Sequence, residues 1–206
     1  MKIAIVGGTG AFGRALARQL RLLGEDVHVG SRDAQRGRER AIELGVQGGS
    51  NEEVVVDADL VILATKSNAA LDTARELADA IGKTPVLCVA SDLVFTDDGV
   101  LPGREESSLG EELAEIVHGP VASGLQSLSA VHLGSGELPD QDALVCGNDA
   151  RAKELVLDIA RRLVGGHAVD VGPLANSRAL EAMTAVILNV NREFGVNAGL
   201  RLSGLP

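Results

Sequence analysis

The chain opens with Lys2-Ile-Ala-Ile-Val-Gly-Gly-Thr-Gly-Ala-Phe-Gly13, and this stretch decides the fold. A short apolar strand, largely β-branched, ends at Val6 and runs straight into a G-x-G-x-x-G pattern formed by Gly8, Gly10 and Gly13. In a dinucleotide site the first glycine tightens the turn, the second lets the backbone approach a pyrophosphate, and the third lets the following helix pack closely on the sheet. Free N–H groups at the helix N-terminus then face the phosphates. Phe12, Leu16, Leu20 and Leu23 form one apolar stripe at helical spacing, and Gly24 closes the helix.

The next strand carries the choice of nucleotide. An NAD site places a carboxylate at the end of this strand to hold the ribose 2′-hydroxyl, whereas a 2′-phosphate is repelled by a carboxylate and favoured by arginine. Here the strand ends His28-Val-Gly-Ser-Arg32, so the carboxylate is missing. Ser31, Arg32 and, one turn on, Arg36 offer the hydroxyl and guanidinium donors that a phosphate needs. Residues 31–40 hold four Arg against one Asp and one Glu in a chain of net charge −10, which marks the segment as locally basic. Arg38 and Arg40 read as a solvated helix face.

At 206 residues the chain is expected to be a single nucleotide-binding unit, with a core over about 1–147 and a C-terminal part over about 148–206 that completes the substrate or dimer face. Alternating strands (2–6, 26–29, 60–64, 86–90, 120–123, 143–146, 168–171) and helices (11–23, 33–44, 68–81, 108–117, 150–164, 174–194) predict an α/β, Rossmann-like, doubly wound parallel sheet with a small C-terminal extension ending in a long helix. A short helix follows a cap at Asn51. Segments 91–107 and 124–142 read as long loops beyond strand ends, where open α/β sheets bind ligands. The last helix is apolar on more than one side, which predicts burial against a ligand or a second copy, hence a homodimer.

Composition narrows the chemistry. The 45% apolar content without a membrane-length run, and a strand that begins at residue 2, predict a cytoplasmic globular protein with no membrane partner. Net acidity argues against nucleic acid. Cys88 and Cys146 read as small core residues, and no Cys/His spacing predicts a metal. The chain has no Tyr and no Trp, which excludes the Tyr/Lys acid–base pair of short-chain dehydrogenases. A flat ring bound here must lie mainly on aliphatic side chains and backbone, since only Phe12, Phe95 and Phe194 are aromatic. Lys66, in the loop after residue 64, reads as an exposed loop lysine or as a catalytic group. His28 reads as a structural residue, and none of the four histidines has a carboxylate at an informative spacing, so no catalytic residue is assigned.

Val6-Gly-Gly-Thr-Gly-Ala-Phe-Gly13, Val29-Gly-Ser-Arg32, Ala58-Asp-Leu-Val-Ile-Leu63, Leu71-Asp-Thr-Ala-Arg-Glu-Leu77, Leu144-Val-Cys-Gly147 and Gly172-Pro-Leu-Ala-Asn-Ser-Arg-Ala-Leu-Glu181 resemble, nearly end to end, the NADPH-dependent reductases of coenzyme F420. The resemblance implies hydride transfer between NADP(H) and the deazaflavin F420, with Thr9, Ser31, Arg32 and Arg36 on the NADP phosphates and the loop around Ser67 bordering the nicotinamide. The expected cofactor contacts are thus Gly8, Thr9, Gly10, Ala11, Phe12 and Gly13, then Ser31, Arg32 and Arg36, then Thr65, Ser67 and Leu71. Gln126, Ser127 and Ser129 are the expected substrate contacts. The chain departs from the archaeal-type pattern in two places: Gln126 stands where those members have a histidine and Ser129 where they have a proline, and the loop after Ala64 lacks their Pro-Trp. Gln126 either hydrogen-bonds the deazaflavin or faces water. Two other readings stay open: an NADP-dependent reductase of a carbonyl, imine or flavin, and a non-enzymatic NADP-sensing module.

Overall fold

The opening strand, β1 (Lys2–Val6), lies between two parallel neighbours, with Ile3 opposite Val27 of β2 (Asp26–Ser31) on one side and Leu60 of β4 (Leu60–Leu63) on the other. A computed structural model describes residues 1–205. Ile3 and Ile5 join one apolar core and Ala4 and Val6 the other, all fully buried, as the two-residue period of a strand covered on both faces requires. Helix α1 (Ala11–Leu22) buries Leu16 and Leu20 completely, with Phe12 and Leu23 packed at the edge of the same core.

The first half continues through α2 (Ala34–Leu44), β3 (Gln47–Ser50), α3 (Asn51–Val55), α4 (Ser67–Ile81) and β5 (Val86–Cys88). The second half contains a hairpin of β6 (Leu93–Phe95) and β7 (Val100–Pro102), then α5 (Leu109–Ile116), β8 (Val121–Gly124), α6 (Ala130–Gly134), β9 (Ala143–Gly147), α7 (Ala150–Leu163) and β10 (Ala168–Asp170). A 3-10 turn over Leu174–Asn176 leads into α8 (Ser177–Phe194). The main sheet has eight strands in the order β10-β9-β8-β5-β4-β1-β2-β3.

Four expectations need correction. The sheet is not wholly parallel, because β9 pairs antiparallel with β8 (Ala122 opposite Gly147) while β10 runs parallel to β9. Strand β3 was not expected, since Gln47-Gly-Gly-Ser50 has no β-branched residue. Its glycines exist for packing: a Cβ on Gly48 would lie 2.6 Å from the Gly37 carbonyl of α2. The cap of α3 is Ser50 rather than Asn51, through a reciprocal capping box with Glu53. The segments 91–107 and 124–142 are not plain loops, for they hold the hairpin and α6. The remaining boundaries agree with expectation to within three residues.

After α8 the chain turns back, and residues 198–202 close against the sheet end. The Asp142 N–H donates to the Leu200 carbonyl (2.7 Å) and the Leu202 N–H to Asp142 Oδ2 (2.6 Å). Asp142 Oδ1 accepts the His167 N–H at 2.7 Å.

Candidate functional site

The glycine loop sits where the sheet changes winding direction, between β1 and β4, the place where open α/β sheets bind ligands. Its turn is closed by Gly8 N–H to the Ile5 carbonyl and Gly10 N–H to the Gly7 carbonyl, both 3.1 Å. A Cβ on Gly8 would come within 2.8 Å of the Ile5 carbonyl oxygen, and one on Gly13 within 2.8 Å of Gly8 Cα. Gly10 differs: its Cβ would meet protein only at 3.5 Å, so this exposed glycine leaves room on the outer side for close approach of a ligand. Helix α1 starts there without a side-chain cap and without acidic residues in its first turn, which suits an anion, with Thr9, Ala11 and Phe12 around the turn.

Sequence reasoning missed Asn51. Its Oδ1 accepts the Gly7 N–H at 3.2 Å and so fixes the start of the glycine loop. Gly30 makes room for it, since a Cβ there would lie 2.6 Å from Asn51 Oδ1. A glycine at the strand end next to Ser31 was the available clue.

At the end of β2, Ser31 is buried and Arg32 and Arg36 are exposed. Asp33, the nearest carboxylate, caps α2 by accepting the Gln35 and Arg36 N–H groups at 2.9 and 3.2 Å. Arg38 pairs with Glu53 (3.0 Å) and Arg40 with Glu43 (2.6 Å), whereas Arg32 and Arg36 make no ion pair among the described residues. The two arginines assigned to phosphate are thus the two whose charge is uncommitted. After β4, Thr65 packs beside Gly7, and its buried Oγ1 has no hydrogen-bond partner. Ser67 begins α4, Lys66 is exposed, and Leu71 packs half-buried against the core.

A cleft of about 380 Å³ adjoins this loop. Phe12 of α1, Val89 and Ser91 beyond β5, residues 126–131, Thr184, Ile187, Leu188 and Asn191 of α8, and Asn197 and Ala198 line it. Gln126, Ser127 and Ser129 are all there. Gln126 does not face water: it is 7% exposed, donates Nε2 to Ser123 Oγ at 2.7 Å, and leaves Oε1 buried without a partner. No ionisable side chain lines the cleft, and Phe12 is its one aromatic, Phe95 and Phe194 being exposed elsewhere. Burial pushes the Cys88 thiol up to about 12 and that of Cys146 to about 11, so both stay protonated. His28, His118 and His167 do have carboxylate neighbours (Asp26, Asp79, Asp142), contrary to the sequence reading, but no histidine lines the cleft.

Phe12 of α1 thus joins two features: the glycine loop, with the unpaired Arg32 and Arg36 beyond the end of the neighbouring β2, and an uncharged cleft in whose wall Gln126 keeps one unpartnered amide oxygen. Residues 2–91 match the family described as NADP oxidoreductase coenzyme F420-dependent. Over its whole length the chain is 32% identical to the F420-dependent NADP reductase of Methanothermobacter marburgensis, covering 100% of that protein. It is 31% identical to the enzyme of the same name from Methanocaldococcus jannaschii, covering 99% of it. The chain belongs to the F420-dependent NADP reductase family. A crystal structure of a candidate F420-dependent NADP reductase from Arthrobacter sp. FB24 superposes with a TM-score of 0.88 over 98% of this chain and 99% of that one, at 24% identity, which bears on the fold.

Proposed function

We propose that the protein transfers a hydride between NADP(H) and F420, with NADP along the glycine loop and F420 in the adjoining cleft. The observation that carries the assignment of sites is the pairing of an uncommitted Arg32/Arg36 corner with an uncharged cleft that opens beside Phe12. When bound, NADPH would supply a hydride from the nicotinamide and F420 would accept it on the deazaflavin ring, with the one proton that completes reduction taken up from solvent. The chain's own part is positioning and exclusion of water. Gly8, Thr9, Gly10, Ala11, Phe12 and Gly13 hold the pyrophosphate, and Ser31, Arg32 and Arg36 the 2′-phosphate. Thr65, through its unpartnered hydroxyl, and Ser67 serve the nicotinamide side, and Leu71 backs them from the core. Gln126 Oε1 accepts an N–H of the acceptor ring, with Ser127 and Ser129 beside it. No side chain is needed as a catalytic acid, in keeping with a cleft wall that has none.

Residues 1–206 act as one unit, about 1–147 holding the nucleotide and about 148–206 closing the acceptor side. A second copy covers the outer face of α8, where Val186, Val190 and Phe194 are exposed at four-residue spacing beside Val94, Phe95 and Leu101 of the hairpin. We place the protein in the cytoplasm. Steady-state reduction of F420 with NADPH and, separately, NADH tests the reading. Turnover with strong NADPH preference is expected; tight NADPH binding without F420 turnover would refute the acceptor half. Light scattering is expected to give twice the chain mass, and a monomer would refute the dimer.

A further inference from the structure

Helix α8 carries a polar seam on the side that meets the sheet: Ser177, Glu181, Thr184 and Asn191, spaced so that they share one helical stripe. Each member meets a different segment. The hydroxyls of Ser177 and Ser108 share a hydrogen bond at the start of α5. Glu181 accepts the Gly110 N–H on Oε1 at 3.3 Å and the Asp92 N–H on Oε2 at 3.5 Å. Thr184 Oγ1 shares a hydrogen bond with Ser91 Oγ at 3.0 Å, and Asn191 Oδ1 accepts the Ala198 N–H at 2.6 Å. Glu181 is the ionisable member, 5% exposed, and it does not line the cleft. Hydride transfer makes no use of it.

We propose that Glu181 is a positioning residue for the acceptor cleft: by gathering the Asp92 and Gly110 amides onto α8 it holds Ser91 against Thr184, and its charge sets how firmly. Ser91 and Thr184 both line the cleft, and Asp92 is the next residue after Ser91, so slack at Asp92 is felt at the wall. An anion binds N–H donors more strongly than a neutral carboxyl does, but its burial without a cation of its own costs more than those bonds return. The charged and titratable neighbours are few. Arg104 faces Glu181 but is already paired with Asp92 and Glu112, Arg178 is paired with Glu111, and the Cys88 and Cys146 thiols lie on the sheet side. Burial therefore prevails over the amide bonds and Arg104, and pushes the Glu181 carboxyl up to about 7. Because the carboxyl holds its proton more firmly in the closed clamp than it would in water, the clamp is tight below neutrality and slackens as Glu181 ionises above it.

The inference rests on the reading of the cleft as the F420 site, and its test separates the two. In wild type and Glu181→Gln, KM for F420 and for NADPH is measured from about pH 6 to 8. The variant is expected to match wild type within about twofold at pH 6 and to have an F420 KM about fivefold lower than wild type at pH 8, with the NADPH KM unchanged. Ionisation of F420 itself is common to both proteins and cancels in the ratio. A ratio independent of pH, or an equal change in both KM values, overturns the proposal. Hydrogen exchange in the wild-type protein, corrected for intrinsic rates, reads the same clamp without F420 and without a variant. The Asp92 and Gly110 amides are expected to be better protected at pH 6 than at pH 8 by about threefold or more, and equal protection overturns the proposal. Better protection at pH 6 with no F420 turnover at all would support the clamp and refute the assignment of the acceptor.

Discussion

At the end of β2 two neighbouring charged residues have different uses: Asp33 spends its carboxylate on the α2 cap, and Arg32 keeps its guanidinium free. The place of the Ser31-Arg32 pair at the end of β2 was legible in the sequence, and its proposed role in nucleotide choice rests on that place. Which of the four arginines would be engaged elsewhere depended on Glu53 and Glu43 arriving from α3 and α2, and the sequence pointed only to Arg38 and Arg40 as surface residues. Arg32→Ala is expected to raise the NADPH KM by about ten- to a hundredfold, the loss of a charge-assisted contact, while changing the NADH KM less than about threefold. Arg38→Ala, which breaks only an exposed pair with Glu53, is expected to leave both within about twofold. The burial of Gln126 could not be read from residue type, because it follows from the approach of β5 and β8, which brings Cys88 and Ser123 to its amide. Gln126→Leu is expected to raise the F420 KM about tenfold at unchanged NADPH KM, as measured in initial-rate assays that vary each substrate in turn.

At the scale of elements, strong periodicity was readable and weak or glycine-rich segments were not. The α1 stripe and the buried β1 and β4 runs were visible from apolar spacing alone, whereas β3 is a strand because α2 packs on it so closely that side chains are excluded. The β6–β7 hairpin is similarly tertiary in origin: Asn189 of α8 accepts the Val100 N–H and donates to the Val100 carbonyl, both at 2.8 Å, like the edge of a neighbouring strand. Asn189→Ala removes both bonds and leaves the Val100 groups half-buried. The expected result is a loss of about 1–3 kcal/mol in denaturant unfolding and faster hydrogen exchange confined first to residues 93–102. Asn51, a loop anchor placed at the first turn of α3, could be found only once Gly30 and Gly7 were seen to converge on it.

Over the whole molecule, the direction of β9 was not legible, since a strand buried on both faces shows the same apolar run whichever way it points. The balance of buried carboxylates makes a further prediction. Burial alone would raise Asp142, but the His167 and Leu202 amides hold it below its usual value, and Arg178 holds Glu111 low. Such groups contribute stability above the unfolded carboxylate pKa and lose it as pH falls. Glu181 has the opposite sign: raised to about 7, it contributes fully below about 4.5 and loses its contribution as pH rises through 7. Stability is therefore expected to peak near pH 4.5, to decline by up to about 3 kcal/mol between about pH 4.5 and 7 and to level off above, a decline that Glu181→Gln removes in urea unfolding. The central claim is that a cleft without an acid or a redox-active side chain passes a hydride directly between two bound rings. The decisive measurement is single-turnover reduction of F420 by NADPH carrying deuterium at nicotinamide C4, each diastereomer in turn, in ordinary water. Full transfer of label to the deazaflavin from one diastereomer and none from the other is the predicted result, and loss of the label to solvent from both would contradict it.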